Sequence, residues 1–331
     1  MSFKILAPAA FVLAALTMPA AAQTVMKMTT ATINEDQHEW MKRFKDRMDK
    51  RVGPAKLKIE IYPASQLGTI PQMTSGVQLG TVEVWVGPPG FLVGLDQRYQ
   101  VFDAPGIFKS REHVNKTLWD PEFRKDILAL GADKGIVGIS IFSASQTVFV
   151  SRKPIKTVND FKGLKIRVLA SRIERDALAR IGAAAVPMDL SETLPALQQG
   201  TLDAVKSAIT IFVTFKYHDV AKYLTKTHEA IIPTIIVASK VWLDKQPADI
   251  RTAVFEEAKA VEPGTLPFAN QFHAKMYNTW VEKGGEIIEL SPPEQAEFVK
   301  RMSTVGDEAV KDNAPVKAFY DKMIAAAKRA G

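Results

Sequence analysis

Apolar and polar positions along this chain switch repeatedly between a two-residue and a helical period. Leu57, Ile59 and Ile61 alternate and predict a strand that ends at Pro63. Leu164, Ile166 and Val168 alternate in the same way, with Lys165 and Arg167 on the opposite face. Trp40, Phe44 and Met48 recur at helical spacing behind a capping pattern at Asn34 and Gln37. Lys27 to Thr32 and Thr81 to Val86 read as short strands, the second stopped by Gly87-Pro88-Pro89-Gly90. Ser171 and Glu174 form a capping box for a helix that ends at Gly182. A strand to Met188, a helix from Ser191 to Gly200 and a strand from Leu202 to Ala208 follow, and Ile231 to Ser239 reads as a buried strand. Pro247 opens a helix towards Val261, and Pro263-Gly264 must bend or break it. Helical spacing resumes through Phe268, Phe272, Met276 and Trp280. Ile287 to Leu290 suggests a strand, Ser291-Pro292 a helix start, and Pro315 to Arg329 a last helix. Alternating strands and helices predict an α/β fold, with no internal repeat and no low-complexity linker.

The length, 331 residues, allows two lobes with sizeable cores, and 47% hydrophobic with 24% charged residues is a globular balance. The first residues read differently. Lys4 is followed by an apolar run from Ile5 to Met18 and by Ala20-Ala21-Ala22, the layout of a secretory signal peptide over residues 1–22. The run is short for a membrane anchor. An exported chain without cysteine relies on an ordinary core, since it has no disulfide, thiolate nucleophile or Cys-based metal site. The formal charge of +7 is scattered rather than grouped with aromatics, which argues for solubility and mild attraction of anions and against nucleic-acid binding.

Catalytic motifs are missing. None of the five histidines (His38, His113, His218, His228 and His273) forms the i,i+4 pair of a helical zinc site. No G-x-S-x-G elbow, P-loop or G-x-G-x-x-G occurs. The expectation is a protein that is not an enzyme and uses no cofactor or metal.

The run Lys162-Gly163-Leu164-Lys165-Ile166-Arg167-Val168 resembles the substrate-binding proteins of tripartite ATP-independent periplasmic (TRAP) transporters. Tyr62-Pro63-Ala64-Ser65-Gln66-Leu67-Gly68, Val77 to Val82, Phe102 to Phe108, Arg111-Glu112-His113, Ile181-Gly182-Ala183, Pro187-Met188, Ser191-Glu192 and Ala196 to Gly200 are similar to that family's segments, in its order. The resemblance implies a two-lobed periplasmic-binding-protein-like fold with a ligand cleft between the lobes. It implies one lobe of residues 24–145 plus 233–272 and a second of 146–232 plus 273–331.

It also implies the site. The family's motif arginine, here Arg167, pairs with a ligand carboxylate, because a planar guanidinium presents two parallel donors to the two oxygens. Compared with the family's sialic-acid-binding branch, the second arginine falls at Thr147, the asparagine after the aspartate–glycine turn at Ser207, and an early asparagine at Thr30. An aromatic contact falls at Leu190, a further polar contact at Thr234, and the loop of an acidic contact at Gly87-Pro88. These shorter or less polar side chains imply a less hydroxylated acid, since donors built for hydroxyls are costly unpaired. Met188, Phe212 and Trp85 are candidates for apolar walls, although ordinary core packing is the favoured reading of each. Lys206 stands where the family commonly has glutamate. Strand alternation places it opposite Ser207, which favours a solvated or lobe-to-lobe ion pair over a second cation for a dicarboxylate. The implied function is a periplasmic receptor that captures a small organic carboxylate and delivers it to TRAP membrane subunits. A monocarboxylate with an apolar or aromatic body is favoured. The alternatives are a short dicarboxylate ligand, or a sensory receptor presenting its ligand to a membrane kinase.

Overall fold

The computed structural model describes residues 24–331. The segment expected to be a signal peptide, residues 1–22, lies outside the described residues. The strands are β1 (Thr24–Thr29), β2 (Leu57–Tyr62), β3 (Val84–Gly87), β4 (Ile136–Ser151), β5 (Lys165–Val168), β6 (Ala184–Pro187), β7 (Ala204–Ala208), β8 (Tyr223–Ser239) and β9 (Glu286–Glu289). They join in the order β2-β1-β3-β8-β4-β7-β5-β6, with β9 beside β8.

Two features turn this one sheet into a two-lobed α/β molecule. First, β1, β2 and β3 are parallel at one end, and β5, β6 and β7 are parallel at the other. Parallel strands need crossovers, which the intervening helices provide. Second, β4 and β8 are long antiparallel partners that run through both halves. The Ile235–Ala238 stretch of β8 pairs with β3, whereas its Tyr223–Lys226 stretch pairs with β9. Between them the β4–β8 ladder slips register at Ser143/Ser145 and again at Gln146/Val148. Bulges bend a strand and increase its twist, so the two halves are set at an angle at these positions.

The sequence reading missed β4 almost entirely. Ile139 to Val150 is buried on both faces by neighbouring elements, so its Ser and Thr residues carry no alternating signal. The expected break at Pro263-Gly264 is a single 3-10 turn, Glu262–Gly264, between helices Ala248–Val261 and Thr265–Glu282. That turn is anchored: Glu262 accepts from Arg124 at 2.7 Å, the Ser140 hydroxyl at 2.7 Å and the Ile141 amide at 3.2 Å. The first helix, Asp36–Arg51, is capped by Glu35 instead of Asn34, and Asn34 sits at φ 55° in the turn before it. Trp40 and Phe44 stack at 5.0 Å on its inner face, with Met41 and Met48 beside them.

Among the described residues no helix is long and apolar enough to cross a membrane.

Candidate functional site

A cavity of about 60 Å³ lies where the two parallel strand sets meet β4 and β8. Ligand sites in α/β sheets form outside the carboxyl ends of parallel strands, where the chain order switches, and this cavity obeys that rule. Ala31 and Thr32 follow β1, Gly87 and Pro88 end β3, Arg167 and Leu169 end β5, and Ser207 and Ala208 end β7. Ala144 and Ser145 of β4 and Ile232 and Thr234 of β8 form the floor at the register slips.

Arg167 is 1% exposed and lines this cavity. Its backbone is fixed between Val186 of β6 and Val205 of β7. Its Nε donates to the Met188 carbonyl at 3.1 Å, and its guanidinium carbon stands 5.7 Å from the centre of the Phe91 ring. Burial pushes its pKa down, while Tyr217, Glu174 and Asp189 push it back up. None of the ion pairs among the described residues involves Arg167. A buried guanidinium held by one carbonyl keeps its terminal donors for another acceptor.

Leu190, Ser207, Thr234, Gly87, Pro88 and Trp85 join Arg167 on the cavity wall. Gly87 matters through what it lacks: a Cβ there would fall 2.3 Å from the Trp85 ring, so glycine allows that ring to lie over the strand. Four other expected residues stand outside the lining. The Thr147 hydroxyl donates to the Ala230 carbonyl at 3.2 Å, and the adjacent slip leaves Ser145 on the wall in its place. The Thr30 hydroxyl donates to Gln37 at 2.7 Å, and Gln37 is the residue that reaches the cavity. Met188 contributes a carbonyl to Arg167 rather than a wall. Phe212 is core, 5.1 Å from the Tyr217 ring and 6.5 Å from Trp280.

Lys206 also corrects the reading. It is neither solvated nor on the cavity wall. It is 5% exposed and pairs with Glu229 at 2.8 Å and Glu174 at 3.1 Å. Burial alone would push its ammonium down, but Glu229 and then Glu174 hold it above its ordinary value. Glu174 is not the partner of a reciprocal capping box. Ser171 caps the helix, while Glu174 reaches back to the Leu169 amide at 2.6 Å.

The sequence reading missed the turn into the first helix. Glu35 and Asp36 both line the cavity, and both are 3% exposed. One Glu35 oxygen accepts from the Thr32 hydroxyl and from the amides of Gln37 and His38. An acidic residue at a helix start looks the same in sequence whether it faces water or a pocket, so no signal separated them. Burial, and then the charge of Asp36, raise the Glu35 pKa to about 8 from an ordinary 4.5. The folded protein therefore keeps a proton that the unfolded chain has released. The resulting stabilisation is complete below pH 4.5 and is lost as pH rises towards about 8. Glu35→Gln removes this dependence. Its melting temperature should climb relative to the unsubstituted protein between pH 5 and 8 and level off above. A difference between the two that does not change with pH would contradict the assignment.

Among the described residues no cluster of three His, Cys, Asp or Glu side chains is placed to hold a metal ion.

Residues 28–313 match the family model of bacterial extracellular solute-binding proteins, family 7. The chain belongs to that family, the substrate-binding proteins of TRAP transporters. As such it is a periplasmic solute receptor for small organic acids and not an enzyme. It is similar to the 2,3-diketo-L-gulonate-binding periplasmic protein YiaO of Escherichia coli strain K12, at 29% identity over 81% of each chain. Two solved TRAP solute-binding proteins share the fold. One, from Desulfovibrio salexigens, holds orotic acid: TM-score 0.87, 22% identity, 93% of this chain and 100% of that one. The other, from Anaerococcus prevotii DSM 20548, holds D-glucuronate: TM-score 0.86, 24% identity, 93% of this chain and 99% of that one.

Proposed function

We propose that this TRAP receptor takes a monocarboxylate with a largely apolar body, seats its carboxylate on Arg167, and delivers it to the transporter's membrane subunits. The observation that carries this reading is Arg167 itself, a 1%-exposed cation on the cavity wall whose side chain, among the described residues, is hydrogen-bonded to the Met188 carbonyl alone. Ile70, Trp85, Phe91, Leu169, Leu190 and Ile211 supply the apolar surface around it. A dicarboxylate is disfavoured. Lys206, the other nearby cation, is committed to Glu174 and Glu229, and the wall carries the carboxylate of Asp36. A second ligand carboxylate would meet like charge. YiaO, by its name, binds a sugar-derived acid with one carboxylate, which supports a single-carboxylate solute.

Closure would bring residues 24–145 plus 233–272 against residues 146–232 plus 273–331. The register slips in β4 and β8 lie beside the chain crossings between these groups and are suited to act as the hinge. A ligand drives closure only through higher affinity for the closed form, and charge pairing in a dry cleft supplies that difference.

The test is a thermal-shift screen of purified mature protein against carboxylic acids and their methyl esters. A ligand that binds only the folded state raises apparent stability. A monocarboxylate should raise the melting temperature and its ester should not. Stabilisation by esters equal to that by the acids would overturn the assignment of Arg167 as carboxylate receptor.

A further inference from the structure

We infer that the corner of the cavity formed by Asp36 reads a hydroxyl group, so that the solute is a hydroxy acid whose hydroxyl donates to Asp36 Oδ1 while its carboxylate sits on Arg167. This rests on the receptor reading above and narrows it. Four buried polar atoms on the wall of this cavity have no hydrogen-bond partner: Asp36 Oδ1, Trp85 Nε1, Thr210 Oγ1 and Thr234 Oγ1. Their residues are 3%, 1%, 1% and 0% exposed. Buried polar atoms are rarely left without a partner, so four around one space that also holds Arg167 mark where a bound polar group would be paired.

The chemistry of these atoms selects its polar group. The indole nitrogen can only donate, Asp36 Oδ1 as a carboxylate oxygen can only accept, and the threonine hydroxyls do either. The other oxygen of Asp36 accepts from His273 Nε2 at 2.6 Å, and His273 Nδ1 faces Arg111 at 3.1 Å. An arginine nitrogen offers only protons, so Nδ1 accepts and the ring is neutral with its proton on Nε2. The charge of Asp36 is thus answered by Arg111 through the imidazole. A ligand ammonium would add an unbalanced charge here and could not accept from Trp85. A second carboxylate would satisfy Trp85 but meet Asp36. A hydroxyl does both tasks and adds no charge. The apolar remainder of the wall keeps the number of such groups small.

The test is calorimetry with straight-chain monocarboxylates of four to six carbons, their monohydroxy derivatives with the hydroxyl moved stepwise along the chain, and the matching amino acids. At least one hydroxy acid should bind about tenfold tighter than its parent acid, the amine should not match it, and Arg167→Ala should weaken both acids. In Asp36→Asn, the amide oxygen takes the His273 proton and the amino group turns to the cavity, so the preference for hydroxy over parent acid should vanish. The series on unsubstituted protein decides the matter if that variant folds poorly. No hydroxy acid outbinding its parent, an amine binding tightest, or a preference unchanged in folded Asp36→Asn would each overturn the hydroxyl reading. Acids bound equally well by Arg167→Ala would instead sink the carboxylate site on which it rests.

Discussion

Arg167→Ala should weaken binding of the acid found by the thermal screen by roughly thirtyfold to several thousandfold, the range that follows from about 2–5 kcal/mol for truncating one partner of a buried, hydrogen-bonded charge pair. The magnitude comes from the surroundings of the side chain. Arg167 is fully enclosed, its backbone is paired on both sides, and its Nε is held by the Met188 carbonyl. The guanidinium is therefore oriented before the ligand arrives, and little rotamer entropy is lost on binding. Phe91 covers one face of the group and keeps water from it. Arg167→Lys should recover little of the loss, since an ammonium cannot reproduce the planar two-donor fork. Calorimetry on both variants, with circular dichroism to confirm folding, measures the effect. Near-native affinity in Arg167→Ala would remove this residue from the site whatever the solute.

How far this site could be read from sequence depended on what kind of pattern carried each residue. Arg167 was legible because it sits in a short alternating strand within a family-like segment, and both the period and the segment survive without knowledge of the fold. Leu190, Ser207 and Thr234 followed by position along the same resemblance. Thr147 did not, because a bulge at Gln146/Val148 breaks the alternation that would have put it on the wall with Ser145, and a bulge leaves no mark in local composition. Asp36 and Glu35 were hidden for a different reason. Capping a helix and facing a cavity call for the same residue types at the same positions, and only the tertiary placement of His273 from a helix more than two hundred residues later distinguishes them. Leu190 and Gly87, placed by position along the resemblance, both line the cavity, but the resemblance reaches only slots the family already uses. Polar groups entering from the turn before the first helix were invisible to it.

Lys206 shows the same limit in stability, and it carries the second large expected effect. The strand position opposite Ser207 favours, by alternation alone, a solvated or lobe-to-lobe ion pair. The structure instead encloses the ammonium with Glu174 and Glu229, whose side chains are each 3% exposed. Asp103 adjoins them, its carboxyl pushed well above the usual range by burial and then by the charge of Glu174. Removing Lys206 leaves both enclosed carboxylates without their ion-pair partner. Breaking a buried pair in this way typically costs about 3–5 kcal/mol. Lys206→Met should lower the urea-unfolding free energy by roughly that amount. The triple variant Lys206→Met, Glu174→Gln, Glu229→Gln should recover most of it, because the enclosed charges are then gone together and the glutamine at 174 can still accept from the Leu169 amide. Ligand affinity separates this role from recognition. Lys206 is not on the cavity wall, so folded Lys206→Met should bind a monocarboxylate within a fewfold of the unsubstituted protein, while Arg167→Ala does not. A Lys206→Met variant of full stability that had lost its ligand would reverse the assignment and return this residue to the binding site.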